Sequence, residues 1–193
     1  MTEARYDVRI ARGHSWCLFD LRGSAEHILA ALGACGLPQP GQPNRRVVGE
    51  SGATVARIAP GRWFLRAPAE HEARLAKSLA VAIDPLPDAD MALVTDQFES
   101  FRLQGPGAAD ILAQGTALDV APAGFAGDAM TVTDMFGTGV LLERSETTAD
   151  GFILHIERSF GDWMERWLHA AAGLPCAIEP GNRVTDGKRQ RSL

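Results

Sequence analysis

Histidine is the residue type in this sequence that could most readily do chemistry, and its spacing does not favour a metal site. The five histidines lie far apart: His14, His27, His71, His155 and His169. No two of them are four residues apart, and Glu70-His71-Glu72 lacks the second histidine with which a zinc-protease helix holds its metal. We therefore expect no metal-binding residues in the chain.

The loop Gly105-Pro106-Gly107-Ala108-Ala109-Asp110 superficially resembles the phosphate-binding turn of a dinucleotide fold. That turn needs a third glycine for close helix packing and normally follows a buried parallel strand. Here Asp110 takes the third position, and the preceding strand alternates in polarity. A strand-to-helix turn in which Pro106 begins the helix accounts for every residue, so we expect no cofactor-binding residues.

Three further residues could support acid–base or nucleophilic chemistry. Asp96 and Glu99 are close enough in sequence to form a carboxylate pair, but polar residues at the start of a strand are usually solvated. Ser159 is the serine nearest to a histidine at a predicted strand end, His155, yet Ser159 and Asp162 resemble a helix capping box. No G-x-S-x-G elbow occurs. We predict no catalytic residues.

The elements that would position these residues occur twice. Phe98 to Gln114 predicts a strand, a tight turn and a helix, and Leu18 to Leu32 predicts the same, with Ser24 as the helix cap. Each repeat continues with three short strands and a helix, and Trp63-Phe64-Leu65 corresponds to Phe152-Ile153-Leu154. The sequence therefore predicts an α+β fold of two strand-helix-three-strand-helix halves related by a pseudo-two-fold axis.

The predicted halves have boundaries in the sequence. Residues 1–90 form the first half, in which residues 1–13 are an entry arm, and residues 91–180 form the second half. An acidic, proline-bearing stretch from Asp84 to Asp90 suits an exposed connection between them. Residues 181–193 lack periodicity and predict a flexible basic tail.

Composition and charge limit the possible functions. The 193 residues carry a formal net charge of −5, which gives no positive field for nucleic acid. The three cysteines share no C-x-x-C spacing, as expected of reduced thiols. The N-terminus lacks the apolar run of a secretory signal, and no window offers the ~20 apolar residues that span a bilayer. We expect a cytoplasmic protein that binds neither nucleic acid nor membrane.

Aromatic residues are the strongest candidates for a binding surface. The sequence holds four tryptophans, and aromatic side chains are favoured both in cores and at the centres of protein interfaces. Phe136 stands in the turn Met135-Phe136-Gly137-Thr138-Gly139, where its ring should be exposed on mobile backbone. We predict that Phe136 and Trp63 contact a partner protein.

The second half resembles a known superfamily. The run from Thr95 to Val120, TDQFESFRLQGPGAADILAQGTALDV, is similar to the folate-binding aminomethyltransferases, in which a strand leads through a G-P turn into a helix ending near an L-D-V. Three more features make residues 14–172 similar to the gamma subunit family of heterotetrameric sarcosine oxidase. These are the Leu37 to Asn44 crossing, the Ala59 to Leu65 turn and strand, and Gly124-Phe125-Ala126 ahead of Phe136-Gly137.

The resemblance implies a noncatalytic subunit that joins larger alpha and beta flavoprotein subunits and a small delta subunit. In such a complex FAD, FMN, NAD and tetrahydrofolate belong to the larger subunits, and the gamma chain carries no cofactor. The complex oxidatively demethylates sarcosine to glycine, with tetrahydrofolate accepting the one-carbon unit and oxygen the electrons. Full-length aminomethyltransferases have a third domain that this chain lacks, and no residue here can be assigned to their catalytic aspartate.

Two other functions stay open on the sequence. One is a gamma-type subunit of a related N-methyl amino acid dehydrogenase, such as N-methylglutamate dehydrogenase, whose substrate would be selected by other chains. The other is a free-standing folate-binding protein, which would need an acidic residue facing a central cavity. Asp96 and Glu99 are the candidates for that residue.

We expect the purified chain to be colourless and to bind neither flavin nor nicotinamide nucleotide, because its glycine-containing turn lacks the features that cradle a phosphate. Visible absorbance of the purified chain, and of the supernatant after heat denaturation, measures bound flavin directly. A stoichiometric flavin spectrum would contradict the prediction.

Overall fold

Two antiparallel five-stranded sheets organise the described residues, 6–13, 15–146 and 148–174, of the computed structural model. The elements in chain order are β1 (Arg9–Arg12), β2 (Trp16–Arg22), α1 (Ala25–Ala34), β3 (Arg46–Val48), β4 (Thr54–Ala59), β5 (Arg62–Pro68), α2 (Glu72–Ile83), β6 (Asp90–Leu93), β7 (Phe98–Gln104), α3 (Ala108–Ala113), β8 (Met130–Met135), β9 (Thr138–Arg144), β10 (Phe152–Glu157) and α4 (Gly161–Ala172). Among these residues, no helix combines the length and apolarity that crossing a membrane requires.

The two halves repeat the same order of elements. β2-α1-β3-β4-β5-α2 corresponds to β7-α3-β8-β9-β10-α4. The sheet orders also match position by position, as β3-β4-β5-β2-β6 and β8-β9-β10-β7-β1. This confirms the predicted α+β fold of two repeated halves.

The strand that precedes each repeat crosses to the sheet of the other repeat. β1 precedes β2 but pairs with β7, and β6 precedes β7 but pairs with β2. The matching backbone bonds, Gly13 N to Ser100 O and Val94 N to Leu18 O, are both 2.8 Å long. The predicted entry arm therefore contains a strand of the second sheet, and the predicted boundary after residue 90 falls inside β6.

Glycines at the two strand-to-helix turns let the crossing segments pass. A Cβ on Gly105 would lie 2.6 Å from the carbonyl oxygen of Asp7, and one on Gly23 would lie 2.7 Å from that of Asp88. Gly105 also has φ of +122°, a conformation that side chains disfavour. The close approach of backbone to backbone requires glycine at both turns.

Three apolar clusters hold four layers together. One cluster joins the first sheet to α1 and α2, and a second joins the other sheet to α3 and α4. In α2 the buried residues recur at every fourth position: Leu75, Leu79 and Ile83. The third cluster lies between the sheets and includes Leu18, Phe64, Met130 and Leu141. The molecule is therefore a helix–sheet–sheet–helix sandwich whose inner layer is shared by both halves.

One of the two predicted helix caps is wrong. Ser24 caps α1 as predicted, because its hydroxyl accepts from the backbone N–H of His27 at 3.4 Å. Ser159 instead lies in a short 3₁₀ turn, and α4 begins at Gly161 without a side-chain cap. The Asp162 carboxylate accepts from Arg12 at 2.7 Å, so it anchors β1 to α4.

Substituting Gly105 by Ala should destabilise the fold by about 1–3 kcal/mol, because the added Cβ meets the Asp7 carbonyl and the backbone there is left-handed. Urea unfolding of the two proteins measures the difference. The matched control is Gly139→Ala, since nothing lies within 4 Å of a Cβ at that position. Equal stability of the Gly105→Ala variant and the wild type would show that the β1 segment does not pack over this turn.

Candidate functional site

A buried ionic cluster lies between the two sheets, centred on the Glu143 carboxylate of β9. Glu143 is fully buried and forms ion pairs with Arg66 at 3.0 Å and with Arg46 at 3.5 Å. Both arginines come from the first sheet and also approach Glu146, at 2.7 Å and 3.5 Å. We call Arg46, Arg66, Glu143 and Glu146 the inter-sheet ionic cluster. This ionic cluster joins the two halves by ion pairs, and the third apolar cluster joins them by packing.

Glu143 also ends a hydrogen-bonded chain with a histidine and a serine. His155 Nε2 lies 2.9 Å from Glu143 Oε1, and Ser100 Oγ lies 2.8 Å from His155 Nδ1. The residue types follow the order of a serine–histidine–acid triad, but the two ring nitrogens are interchanged, because the triad serine bonds Nε2 and the triad acid bonds Nδ1. Ser100 is 1% exposed and the other two side chains are fully buried, and the arginines neutralise the acid. The chain of bonds therefore links three neighbouring strands of the second sheet, β7, β10 and β9, on the face that is buried between the sheets.

The charge of Glu143 is held by its partners. Burial by itself favours the neutral acid, but the hydrogen bond from His155 and the charges of the two arginines outweigh it. The pKa of Glu143 is consequently lowered from its ordinary value. The carboxylate stays ionised in the centre of the molecule, where an unpaired charge would be costly.

An open cavity of about 530 Å³ lies at one end of the layer between the sheets. Phe64 and Phe98 form one wall, with their rings 5.7 Å apart in an edge-to-face arrangement. Its polar lining is Arg62, Gln97, Glu157, Arg158 and Ser159. We call it the inter-sheet cavity.

The carboxylates proposed from the sequence do not face this cavity. Asp96 is exposed, and Glu99 accepts from Arg12 at 3.2 Å, so neither lines the wall. Ser159 does line it, but His155 is bonded to Ser100 instead. The structure therefore does not bring the predicted acid–base candidates together.

The glycine-containing turn at Gly105 is already occupied. Gly107 N donates to the Asp7 carbonyl at 3.1 Å, and the segment before β1 covers the turn. The helix that follows, α3, has six residues. The space over this turn thus holds the chain's own backbone.

Within the described part of the chain, no group of three or more histidine, cysteine, aspartate or glutamate side chains is placed to hold a metal; His14 lies outside that part.

Four aromatic side chains form a continuous row along α4. Phe136 stacks on Trp167 with ring centres 4.9 Å apart, Trp167 meets Trp163 at 6.1 Å, and Trp163 meets Phe160 at 6.4 Å. Trp167 is 44% exposed and Phe160 is 41% exposed. We call Phe136, Phe160, Trp163 and Trp167 the aromatic row. It is a partly exposed aromatic surface, and exposed aromatic side chains of this kind are common where partners bind.

Phe136 is less exposed than the sequence indicated. Its φ is +51° in the β8–β9 turn, and its ring lies where a Cβ on Gly115 would come within 2.5 Å. The ring is half-buried between Gly115 and Trp167 rather than free on mobile backbone. A partner would therefore meet less of Phe136 than of Trp167, which is 44% exposed.

Trp63 is a core residue. It is 1% exposed, packs with the first-half cluster and has the Arg57 guanidinium 5.4 Å from its ring. The prediction that Trp63 contacts a partner is therefore corrected, because no surface of its ring is accessible in this fold.

Comparison with known proteins identifies the chain's family. The family described as "Sarcosine oxidase, gamma subunit family" matches residues 24–173. The chain belongs to this family. No curated protein matches the chain.

Two solved structures share the fold. The heterotetrameric sarcosine oxidase from Corynebacterium sp. U-96, in complex with pyrrole 2-carboxylate, superposes with a TM-score of 0.78 at 23% identity, over 93% of this chain and 91% of that chain. The glycine cleavage system aminomethyltransferase T from Bartonella henselae superposes with a TM-score of 0.63 at 18% identity, over 89% of this chain. This gamma-family chain spans 48% of the aminomethyltransferase.

Sequence reasoning missed the inter-sheet ionic cluster, although a signal for it exists. Ser100, Glu143 and His155 alternate with buried apolar neighbours in β7, β9 and β10, so they lie on the second face of those strands. A polar residue on that face is solvated in a one-layer sheet and buried in a sandwich. Recognising the cluster needed the knowledge that the two sheets pack face to face.

Glu143→Gln should destabilise the gamma-family chain by about 3–5 kcal/mol at neutral pH, because it removes the buried acid of Arg46 and Arg66 and leaves them only the exposed Glu146. Chemical unfolding measures the loss, and Glu157→Gln at an exposed strand end is the control. The folded-state pKa is lowered, so the stabilisation is present above the unfolded value of about 4.3 and is lost as the pH falls through the folded value. The difference between the two proteins should therefore shrink in acid; a difference that grows in acid would refute this assignment.

Proposed function

We propose that the chain is a noncatalytic structural subunit of a heterotetrameric, flavin-dependent sarcosine oxidase. In this role it assembles with larger alpha and beta flavoprotein subunits and a small delta subunit. The complex oxidatively demethylates sarcosine to glycine in the cytoplasm, with tetrahydrofolate as the one-carbon acceptor. FAD, FMN, NAD and tetrahydrofolate are bound by the partner subunits.

The observation that carries this proposal is the family match across residues 24–173, which is a match to a subunit family. The geometry supports a structural role in two ways. The serine–histidine–acid chain is buried in the layer between the sheets, where it joins β7, β10 and β9 of the second sheet. The phosphate-like turn is covered by the chain's own N-terminal segment.

The aromatic row supports docking to a larger subunit. Exposed tryptophan and phenylalanine side chains are enriched at the energetic centres of interfaces, where truncating one costs about 2 kcal/mol or more. Trp167 and Phe160 are each more than two-fifths exposed on one helix. Burial of this surface by a partner would remove it from water.

The docking role is tested by Trp167→Ala in the gamma-family chain co-expressed with its larger subunits. We expect the affinity for those subunits to fall about thirtyfold, the equivalent of about 2 kcal/mol, because a desolvated aromatic anchor is lost. Affinity chromatography through a tag on the larger subunit, followed by size-exclusion chromatography, measures assembly. The wild-type chain alone should be poorly behaved and should be rescued by the same partners.

The matched control is Val81→Ala on α2, because Val81 is 71% exposed and lies on the first half, away from the aromatic row. Phe136→Ala is a weaker test, since the ring supports Trp167 and its loss should also lower the stability of the free chain by about 1 kcal/mol. Undiminished assembly of the Trp167→Ala chain would show that the partner docks elsewhere.

The noncatalytic role is tested in the assembled complex with Ser100→Ala. If the buried serine only links β7 to β10 within the second sheet, the turnover number for sarcosine should stay within about twofold of wild type, whereas loss of a triad serine lowers turnover by many orders of magnitude. A turnover loss of more than about a hundredfold in a fully assembled complex would establish a catalytic function for this chain.

A further inference from the structure

A second cavity, of about 200 Å³, lies between the sheets at the end opposite the inter-sheet cavity. It is lined by Trp16, Arg66, Arg102, Ser145, Glu146 and Ile153. The pairing registers show that the two cavities are pseudo-equivalent: Trp16 corresponds to Phe98, and Ile153 to Phe64. The same layer therefore has one wide apolar mouth and one small charged mouth. We call the second the charged mouth.

The charges around the charged mouth are unbalanced. Counted over the described arginines and glutamates, Arg46, Arg66 and Arg102 stand against Glu143 and Glu146, which leaves one more arginine than glutamates. Arg66 and Arg46 are already paired with the two glutamates. Arg102 lies 5.4 Å from the Trp16 ring and forms no ion pair with any carboxylate among the described residues.

The pseudo-two-fold axis shows what Arg102 lacks. Arg102 sits opposite Ile153 as Asp20 sits opposite Phe64, so Arg102 and Asp20 are equivalent. Asp20 accepts from Arg62 Nε and Nη2 at 2.9 and 3.0 Å, a bidentate pair. The position equivalent to Arg62 is Gly151, which has no side chain. Asp20 therefore has an oppositely charged partner in Arg62, whereas Arg102, at the equivalent position, has no such partner at Gly151.

We propose that the charged mouth binds a small monocarboxylic acid, with its two oxygens on Arg102 and its carbon skeleton against Ile153, because the Trp16 ring is already contacted by the Arg66 guanidinium at 4.6 Å. A guanidinium presents two parallel N–H donors that match a carboxylate, and Ile153 and the Trp16 ring supply apolar walls. A single negative charge balances the charge of the one excess arginine. A doubly charged phosphate would be repelled by Glu146, which lines the same cavity. The volume of about 200 Å³ accommodates an acid of a few heavy atoms.

The test uses the full chain labelled with 5-fluorotryptophan, so that each of its four tryptophans gives its own ¹⁹F resonance. Trp16→Phe assigns the Trp16 signal. Sodium acetate is titrated against sodium chloride at constant ionic strength, with acetamide as an uncharged probe of the same shape. We expect the Trp16 resonance to shift saturably with acetate and not with acetamide, while the Trp63, Trp163 and Trp167 resonances stay in place.

Arg102→Gln should weaken acetate binding about tenfold or more, because a charge-assisted bidentate pair is removed. Arg158→Gln, at the inter-sheet cavity, is the matched control and should bind acetate as the wild type does. If Arg102→Gln fails to fold, Arg102→Lys carries the test, since it keeps the charge and loses the planar fork; it should weaken binding about threefold to tenfold.

Three outcomes would overturn the proposal. They are a linear, unsaturable response, an equal response to chloride, and unchanged affinity in a folded Arg102 variant. The same titration on the complex with the larger subunits distinguishes a free acid from a partner's acidic side chain. A Trp16 resonance that is shifted by assembly and no longer responds to acetate would mean that the partner fills the charged mouth, and the proposal of a free ligand would be wrong.

Discussion

The Glu143 carboxylate between the sheets is the interaction on which the arrangement of the two halves depends. A fully buried carboxylate is tolerated only with compensating donors, and here the donors come from both halves: Arg46 and Arg66 from the first and His155 from the second. Sliding or rotating one sheet on the other would separate these charges. Apolar packing alone would allow several relative positions of two similar sheets, whereas the ion pairs specify one.

The buried charge of Glu143 also makes the two ends of the layer between the sheets chemically different. In a molecule built from two similar units, both ends of the layer begin with similar geometry. Filling one end with arginines and glutamates leaves it small and polar, and leaving Phe64 and Phe98 at the other end keeps it wide and apolar. The duplication therefore supplies the frame, and a few substitutions on the inner strand faces give the two ends different chemistry.

Much of the fold follows from local sequence patterns. The doubled strand-turn-helix and the Ser24 cap follow from periodicity and from short-range hydrogen bonding, which act within a few residues. Asp162 was misassigned because its partner, Arg12, is 150 residues away in sequence, and a local pattern cannot register such a partner. Trp63 was misassigned for the same reason, because helices of its own half cover it, and Phe136 is less exposed than the sequence indicated because it packs against a neighbouring aromatic ring. The exposure of Trp167 was not recognised from the sequence, because Trp167 belongs to an apolar helical stripe in which Met164 and Leu168 are buried.

The crossing of β1 to the second sheet has a consequence for the order in which the molecule can form. β1 leaves the ribosome well before its hydrogen-bonding partner β7 and its ionic partners in β7 and α4; Arg12 is 87 residues from Glu99 and 150 residues from Asp162. Residues 16–93 can complete their own sheet with β6 while β1 waits unpaired. The second sheet is complete at its edge only when β1 pairs with β7, which is made later. Such non-local closure is slow, because the loop entropy must be lost before the contacts form. Until β1 pairs, the edge of β7 is open, and an open edge strand is a template for pairing with another chain.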